Sequence, residues 1–220
     1  MNHKVIILVI LVILLIQLSS SLLAGDLDVS FRNADGEPVI DAIIEIVSPV
    51  IPVPDNWDYR GLMDQVDKEF IGNVVTIVRG SYVLFPNNDD IQHHVYSFSD
   101  YKSFDLPLYS GTDTEPVLFD VAGVTVVGCN IHDWMLGYIY VGDSHLMAKS
   151  NASGLAKINN LSPGEYTFKI WHERARRNEQ FSTYQVSIPK SGAASVEIEL
   201  NLGRDRRIRR APSGSGSSYH

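Results

Sequence analysis

Apolar and polar residues alternate along most of this chain with a period of two, which places successive side chains on opposite faces of a strand. Leu27-Asp28-Val29-Ser30-Phe31 sets the pattern. Runs rich in Val, Ile, Tyr and Phe predict further strands over 39–47, 74–78, 82–85, 94–98, 117–119, 124–128 and 137–141. Others follow over 156–158, 166–172, 183–188 and 194–200. Gly, Pro and Asn punctuate the intervals, and Pro49, Pro52 and Pro54 mark an extended connection suited to a boundary. Helical signal is confined to short turns within 58–69 and 173–180. Many short strands separated by turn residues predict an all-β protein built of β-sandwiches.

The two ends depart from this pattern. Residues 5–16 are twelve consecutive Val, Ile or Leu after a single Lys4, and a small polar run leads on to Leu22-Leu23-Ala24. Twelve apolar residues fall short of the roughly 20 needed to cross a bilayer as a helix. The segment therefore reads as a signal peptide over 1–24, cleaved after Ala24, and predicts an exported protein with no stable membrane span. At the other end, 204–220 carries five arginines and then a Pro, Gly and Ser run with nothing to pack, so a disordered basic tail is predicted there. With a net charge of -8 for the whole chain, the body between the ends is acidic, which argues against nucleic acid as its partner.

The chain has one cysteine. A single Cys can form no internal disulfide and no Cys-Cys zinc site. Cys129 stands in Gly128-Cys129-Asn130-Ile131-His132-Asp133-Trp134-Met135, at the end of one predicted strand and just before the next. Cys-x-x-His-x-x-Met brings a thiolate, an imidazole and a thioether onto one short loop, a set suited to copper; a blue-copper site needs one more imidazole. The loop Asn87-Asn88-Asp89-Asp90-Ile91-Gln92-His93-His94 offers two.

With those residues in view, the stretch 74–141 resembles the cupredoxins, the plastocyanin and amicyanin family. Its run His93-His94-Val95-Tyr96-Ser97-Phe98-Ser99 is similar to a periplasmic plastocyanin-like group sometimes labelled methylamine-utilisation proteins. The resemblance implies a Greek-key β-sandwich holding one copper ion, Cu(I) or Cu(II), on His93, Cys129, His132 and Met135, with His94 as the alternative to His93. It also implies a periplasmic carrier that shuttles single electrons and converts no substrate, with a cytochrome or dehydrogenase as redox partner. His132 would be the exposed ligand, and Trp134 either rims it or packs in the core. A copper carrier or sensor would use the same side chains.

A second resemblance lies outside that stretch. Gly154, Ile158, Leu161, Pro163-Gly164 and Tyr166 are similar to the hairpin of the carboxypeptidase-regulatory, transthyretin-like β-sandwich, and Val29 with Gly36, Pro38-Val39, Ala42 and Ile43 to its opening. It implies one sandwich split into 26–50 and 143–203 around a copper-binding unit at 55–142; the alternative is two consecutive domains, with 26–50 supplying the first copper-domain strands. Such a sandwich would itself serve as a binding module for glycan or protein. Trp171 reads as a core aromatic, and His145 and His172 as surface histidines.

Overall fold

The structure, a computed structural model, describes residues 24–205. The expected signal peptide up to residue 23 and the tail from 206 lie outside the described residues. Within them there is no α-helix, and none long and apolar enough to cross a membrane. In chain order the strands are β1 (Gly25–Asn33), β2 (Ile43–Ser48), β3 (Arg60–Leu62), β4 (Gln65–Val66), β5 (Glu69–Phe70) and β6 (Val74–Val78). Next come β7 (Ser81–Leu84), β8 (His93–Ser99), β9 (Lys102–Tyr109), β10 (Val117–Phe119), β11 (Gly123–Cys129) and β12 (Leu136–Gly142). The last are β13 (Met147–Lys149), β14 (Leu155–Leu161), β15 (Gly164–Trp171), β16 (Thr183–Ile188) and β17 (Ala193–Leu200).

Strands from the middle of the chain form one sandwich. A five-stranded sheet in the order β6-β12-β11-β8-β9 faces a three-stranded sheet in the order β10-β7-β3. Between them lies a core that includes Val83, Phe85, Val95, Phe119, Val127 and Ile139. We call this the central sandwich. Strands from the two ends form another, the terminal sandwich, with sheets β14-β1-β17 and β13-β2-β15-β16 around Leu27, Val29, Phe31, Ile44, Ile46 and Phe168. Neither β1 nor β2 pairs with a strand of the central sandwich.

The two bodies meet across the outer face of the five-stranded sheet. On β12, Ile139 and Val141 point into the central core, while Tyr140 packs outward with Ile43 and Trp171. Both faces of β12 are therefore covered, which is why its sequence is a nearly continuous apolar run. Glu45 of β2 is fully buried at this seam. Its carboxylate accepts hydrogen bonds from Tyr140 Oη at 2.7 Å and from the backbone N–H groups of Asp143 and Ser144 at 2.9 and 3.1 Å, and it pairs with Lys169 Nζ at 3.0 Å. A buried charge so fully partnered is tolerated, whereas an unpartnered one is not. Burial and the neighbouring Glu45 together push the Tyr140 phenol well above its ordinary value.

Three expectations need correction. Residues 58–69 form no helical turn but the short strands β3 and β4 and the start of β5, because Met63, Gln65 and Phe70 must each turn into the core. Residues 173–180 form hydrogen-bonded turns that do not continue into a helix. The Pro163-Gly164 corner closes no hairpin: β14 and β15 lie in different sheets, so the corner carries the chain from one layer to the other, braced by Tyr166 Oη donating to Ser162 O at 2.9 Å.

Candidate metal centre

Strand parity aims the candidate ligands. Along β11, Thr125, Val127 and Cys129 are buried and the intervening residues face outward; along β8, His93, Val95 and Ser97 are buried. Cys129 pairs in register with Val95. This brings Cys129 Sγ to 3.6 Å from His93 Nδ1. After Cys129 the chain turns, with Met135 N–H donating to His132 O at 2.9 Å, and this tight loop folds His132 back so that its Nδ1 stands 3.7 Å from the same sulfur. The three donor atoms lie within 4.8 Å of one another. They form a donor set able to hold a metal ion.

The spacing tests that statement. A metal about 2.0 Å from nitrogen and about 2.3 Å from sulfur, with ligand angles between tetrahedral and trigonal, separates N from S by about 3.5–3.7 Å. Both observed N···S distances match. Met135 is buried in the same core cluster as Cys129, at the end of the loop.

His94, the alternative ligand, points the other way. Its Nε2 meets the Asp105 carboxylate on the neighbouring strand β9, on the outer face of the sheet.

The second ring nitrogen of His93 is engaged by protein. His93 Nε2 lies 2.7 Å from Asp89 Oδ2, so the carboxylate fixes the tautomer that leaves Nδ1 free to bind metal. Asp89 is held in turn by backbone N–H groups of Asp67 and Lys68 at 2.7 and 2.8 Å. Those two residues form the turn of the β4–β5 hairpin, and both have positive φ, 53° and 58°. Left-handed backbone at both central positions is the type I′ geometry that matches strand twist, and here it aims two consecutive N–H groups at one carboxylate. Burial opposes the ionisation of Asp89, but hydrogen bonds from Lys68, His93 and Asp67 outweigh it and hold the carboxyl below its ordinary value of 3.8.

The same turn serves the other histidine. Trp134 Nε1–H donates to Lys68 O at 3.1 Å, and its ring packs 5.2 Å from that of His132. Trp134 is thus half-buried and both rims and braces the site. Burial first, and then the nearby His93 and Lys68, push His132 below its ordinary value, which favours the neutral ring a metal requires.

Beneath the His93 loop, buried Gln65 donates to Tyr109 Oη at 2.6 Å and to Pro86 O at 3.1 Å. Asn87 bridges Ile91 O and Tyr109 O at 2.8 and 3.0 Å. These supports and the 67–68 turn escaped the sequence reading. The one local signal was Asp89 itself, four residues before His93. Of the other histidines, His172 is a correction: it is buried, not surface-exposed, with Nε2 3.1 Å from Ile40 O. Trp171 is buried in the seam.

No family model and no curated protein matches the sequence. Among solved structures, the chain is similar to a purple cupredoxin from Nitrosopumilus maritimus, at 20% identity over 38% of this chain and 98% of that one, with a TM-score of 0.33. A reduced Cu(I) form of an amicyanin variant at pH 4 shares 17% identity over 45% of this chain and 98% of that one, TM-score 0.36. A copper-containing nitrite reductase from Thermus scotoductus SA-01 shares 22% identity over 52% of this chain and 28% of that one, TM-score 0.35. All three scores are below 0.5; the all-β architecture stands on its own strand pairing.

Proposed function

We propose that this chain is a periplasmic type 1 copper protein that passes single electrons between redox proteins, with His93, Cys129, His132 and Met135 as ligands to one copper ion. The observation that carries this reading is the buried Cys129 sulfur with two imidazole nitrogens at 3.6 and 3.7 Å. Thiolate and thioether are soft donors that favour copper, imidazole suits both of its oxidation states, and zinc seldom takes a thioether. Copper bound there would supply one-electron chemistry between Cu(I) and Cu(II). The protein's part is to hold the donors still. Cys129 and His93 stand on paired strands, His132 sits on a loop closed by its own hydrogen bond, and Asp89 and Trp134 fix the two rings. Such a frame changes little when the charge on the metal changes. In the same reading, residues 26–50 and 143–203 form one unit interrupted by 55–142, supported by the pairing of β1 and β2 with β13–β17 alone, and residues 1–24 direct export.

The test is to purify the chain with copper and record its visible spectrum and reduction potential. An intense thiolate-to-copper absorption is expected, absent in Cys129→Ser and shifted in Met135→Leu. A colourless, redox-silent copper adduct would overturn the proposal.

A further inference from the structure

A groove of about 770 Å³ lies where the terminal sandwich meets the outer face of the five-stranded sheet. Its floor is apolar, made by Val124 and Val126 of β11, Leu136 and Tyr138 of β12, and Trp171 at the end of β15. Over this floor the turns after β15 and the end of the described chain bring four arginines: Arg174, Arg176, Arg177 and Arg204. Arg174 is engaged, donating from Nε to Gly203 O at 3.0 Å and pairing with Asp205 at 3.7 Å. Arg176, Arg177 and Arg204 are exposed, and their guanidinium groups form no ion pair among the described residues. Of the carboxylates that line the groove, Asp205 pairs with Arg174 at 3.7 Å and Glu173 lies beside His172 at 3.2 Å.

This arrangement is unusual for its setting. The chain holds 26 acidic and 18 basic residues, yet the groove gathers free cations over an apolar surface. It also reaches the metal loop. Leu136, which follows Met135, lines both this groove and a second recess shared with Trp134 and Met135, and Asp205 lines both as well.

We propose that this groove docks an acidic protein partner, which lays apolar side chains on Val124 and Val126 and sets carboxylates against Arg176, Arg177 and Arg204. Charge complementarity selects the occupant. A planar guanidinium matches a carboxylate through paired hydrogen bonds, and the apolar floor adds the buried area that makes a contact last. At physiological salt, charges beyond about 8 Å are largely screened, so the local arginines and not the acidic body set the docking preference. The partner would then sit beside the metal loop. Only the statement that the partner is a redox protein rests on the electron-carrier reading; the groove itself needs no metal.

The copper-free full chain separates the two. A fluorescent synthetic peptide of alternating glutamate and leucine serves as the acidic probe, and one of alternating lysine and leucine as its control, with binding read by fluorescence anisotropy. The acidic peptide is expected to bind, to weaken tenfold or more in the Arg176→Glu, Arg177→Glu double variant, and to weaken as salt rises. Val126→Asp, on the exposed floor, is expected to weaken it too. Because these side chains are exposed, an unchanged circular dichroism spectrum should accompany each loss. Acidic-peptide affinity within twofold of the parent in the double variant would overturn the proposal, as would equally tight binding of the lysine peptide. Saturable binding of laurate with none of the acidic peptide would overturn it in favour of a small-ligand site. A chain that binds the acidic peptide yet gives no blue copper absorption would sink the copper reading and leave the groove standing.

Discussion

Cys129 and His93 share a candidate metal site because each sits at an inward position of its strand, and a one-residue slip of β8 would have put His94 there instead. The sequence names both histidines, but alternation alone does not choose between them: His93, Val95 and Ser97 line one face, while Tyr96 and Phe98 make the other face aromatic as well. The choice comes from pairing with β11 and from Asp89. If Asp89 holds the His93 ring for metal, Asp89→Asn should weaken copper binding by about 10–100-fold with the fold intact, as measured by competitive chelator titration. Its lowered value also makes a stability statement. A carboxyl held below its unfolded value contributes stability that is full above about pH 4 and is lost as the pH falls through the lowered value. The melting-temperature difference between the copper-free parent and Asp89→Asn should therefore be present at pH 7 and shrink as the pH falls below about 4. A difference that grows as the pH falls below about 4 would count against this role.

At the scale of elements, the β4–β5 turn is the part of the site that sequence reading could not reach. Asp67 and Lys68 touch Asp89 from more than twenty residues away, and they do so through backbone N–H groups, which carry no side-chain signature. That distinction is testable. Lys68→Gly keeps the N–H and relieves a left-handed non-glycine residue, so it should leave copper binding unchanged and stabilise the fold by up to about 1 kcal/mol. Lys68→Pro removes the N–H and forbids the positive φ; chemical denaturation should show it destabilised by several times that amount, with weaker copper binding. Equal stability in the two variants would refute the account. Strand β9 is not legible in the sequence for a related reason. Pro107 interrupts its pattern, and only its place at the edge of the five-stranded sheet makes a proline acceptable there. Conversely, β6, β10 and β16 match the sequence expectation, because short uninterrupted β-branched or aromatic runs leave little choice of conformation.

For the molecule as a whole, the seam between the sandwiches sets what each part contributes. Glu45 ties β2 to β12 and to the residues after it, and replacing it with Ala would leave Lys169, Tyr140 Oη and two backbone N–H groups without their partner. A loss of about 3–5 kcal/mol is expected in chemical denaturation of Glu45→Ala; a loss below about 1 kcal/mol would show that the seam contributes little. The sequence by itself determined the β architecture, since alternation of period two leaves few other ways to bury half the side chains. It also determined that a thiol, an imidazole and a thioether stand together on the Cys129 loop, because three such side chains within seven residues are local information. Only the tertiary structure decided which histidine stands beside Cys129, which backbone turn steadies both rings, and that exposed arginines gather over an apolar floor near the Cys129 loop. Those outcomes depend on strand register and on contacts between residues far apart in the chain, where the physical constraint is shared by the whole fold and no single segment carries it.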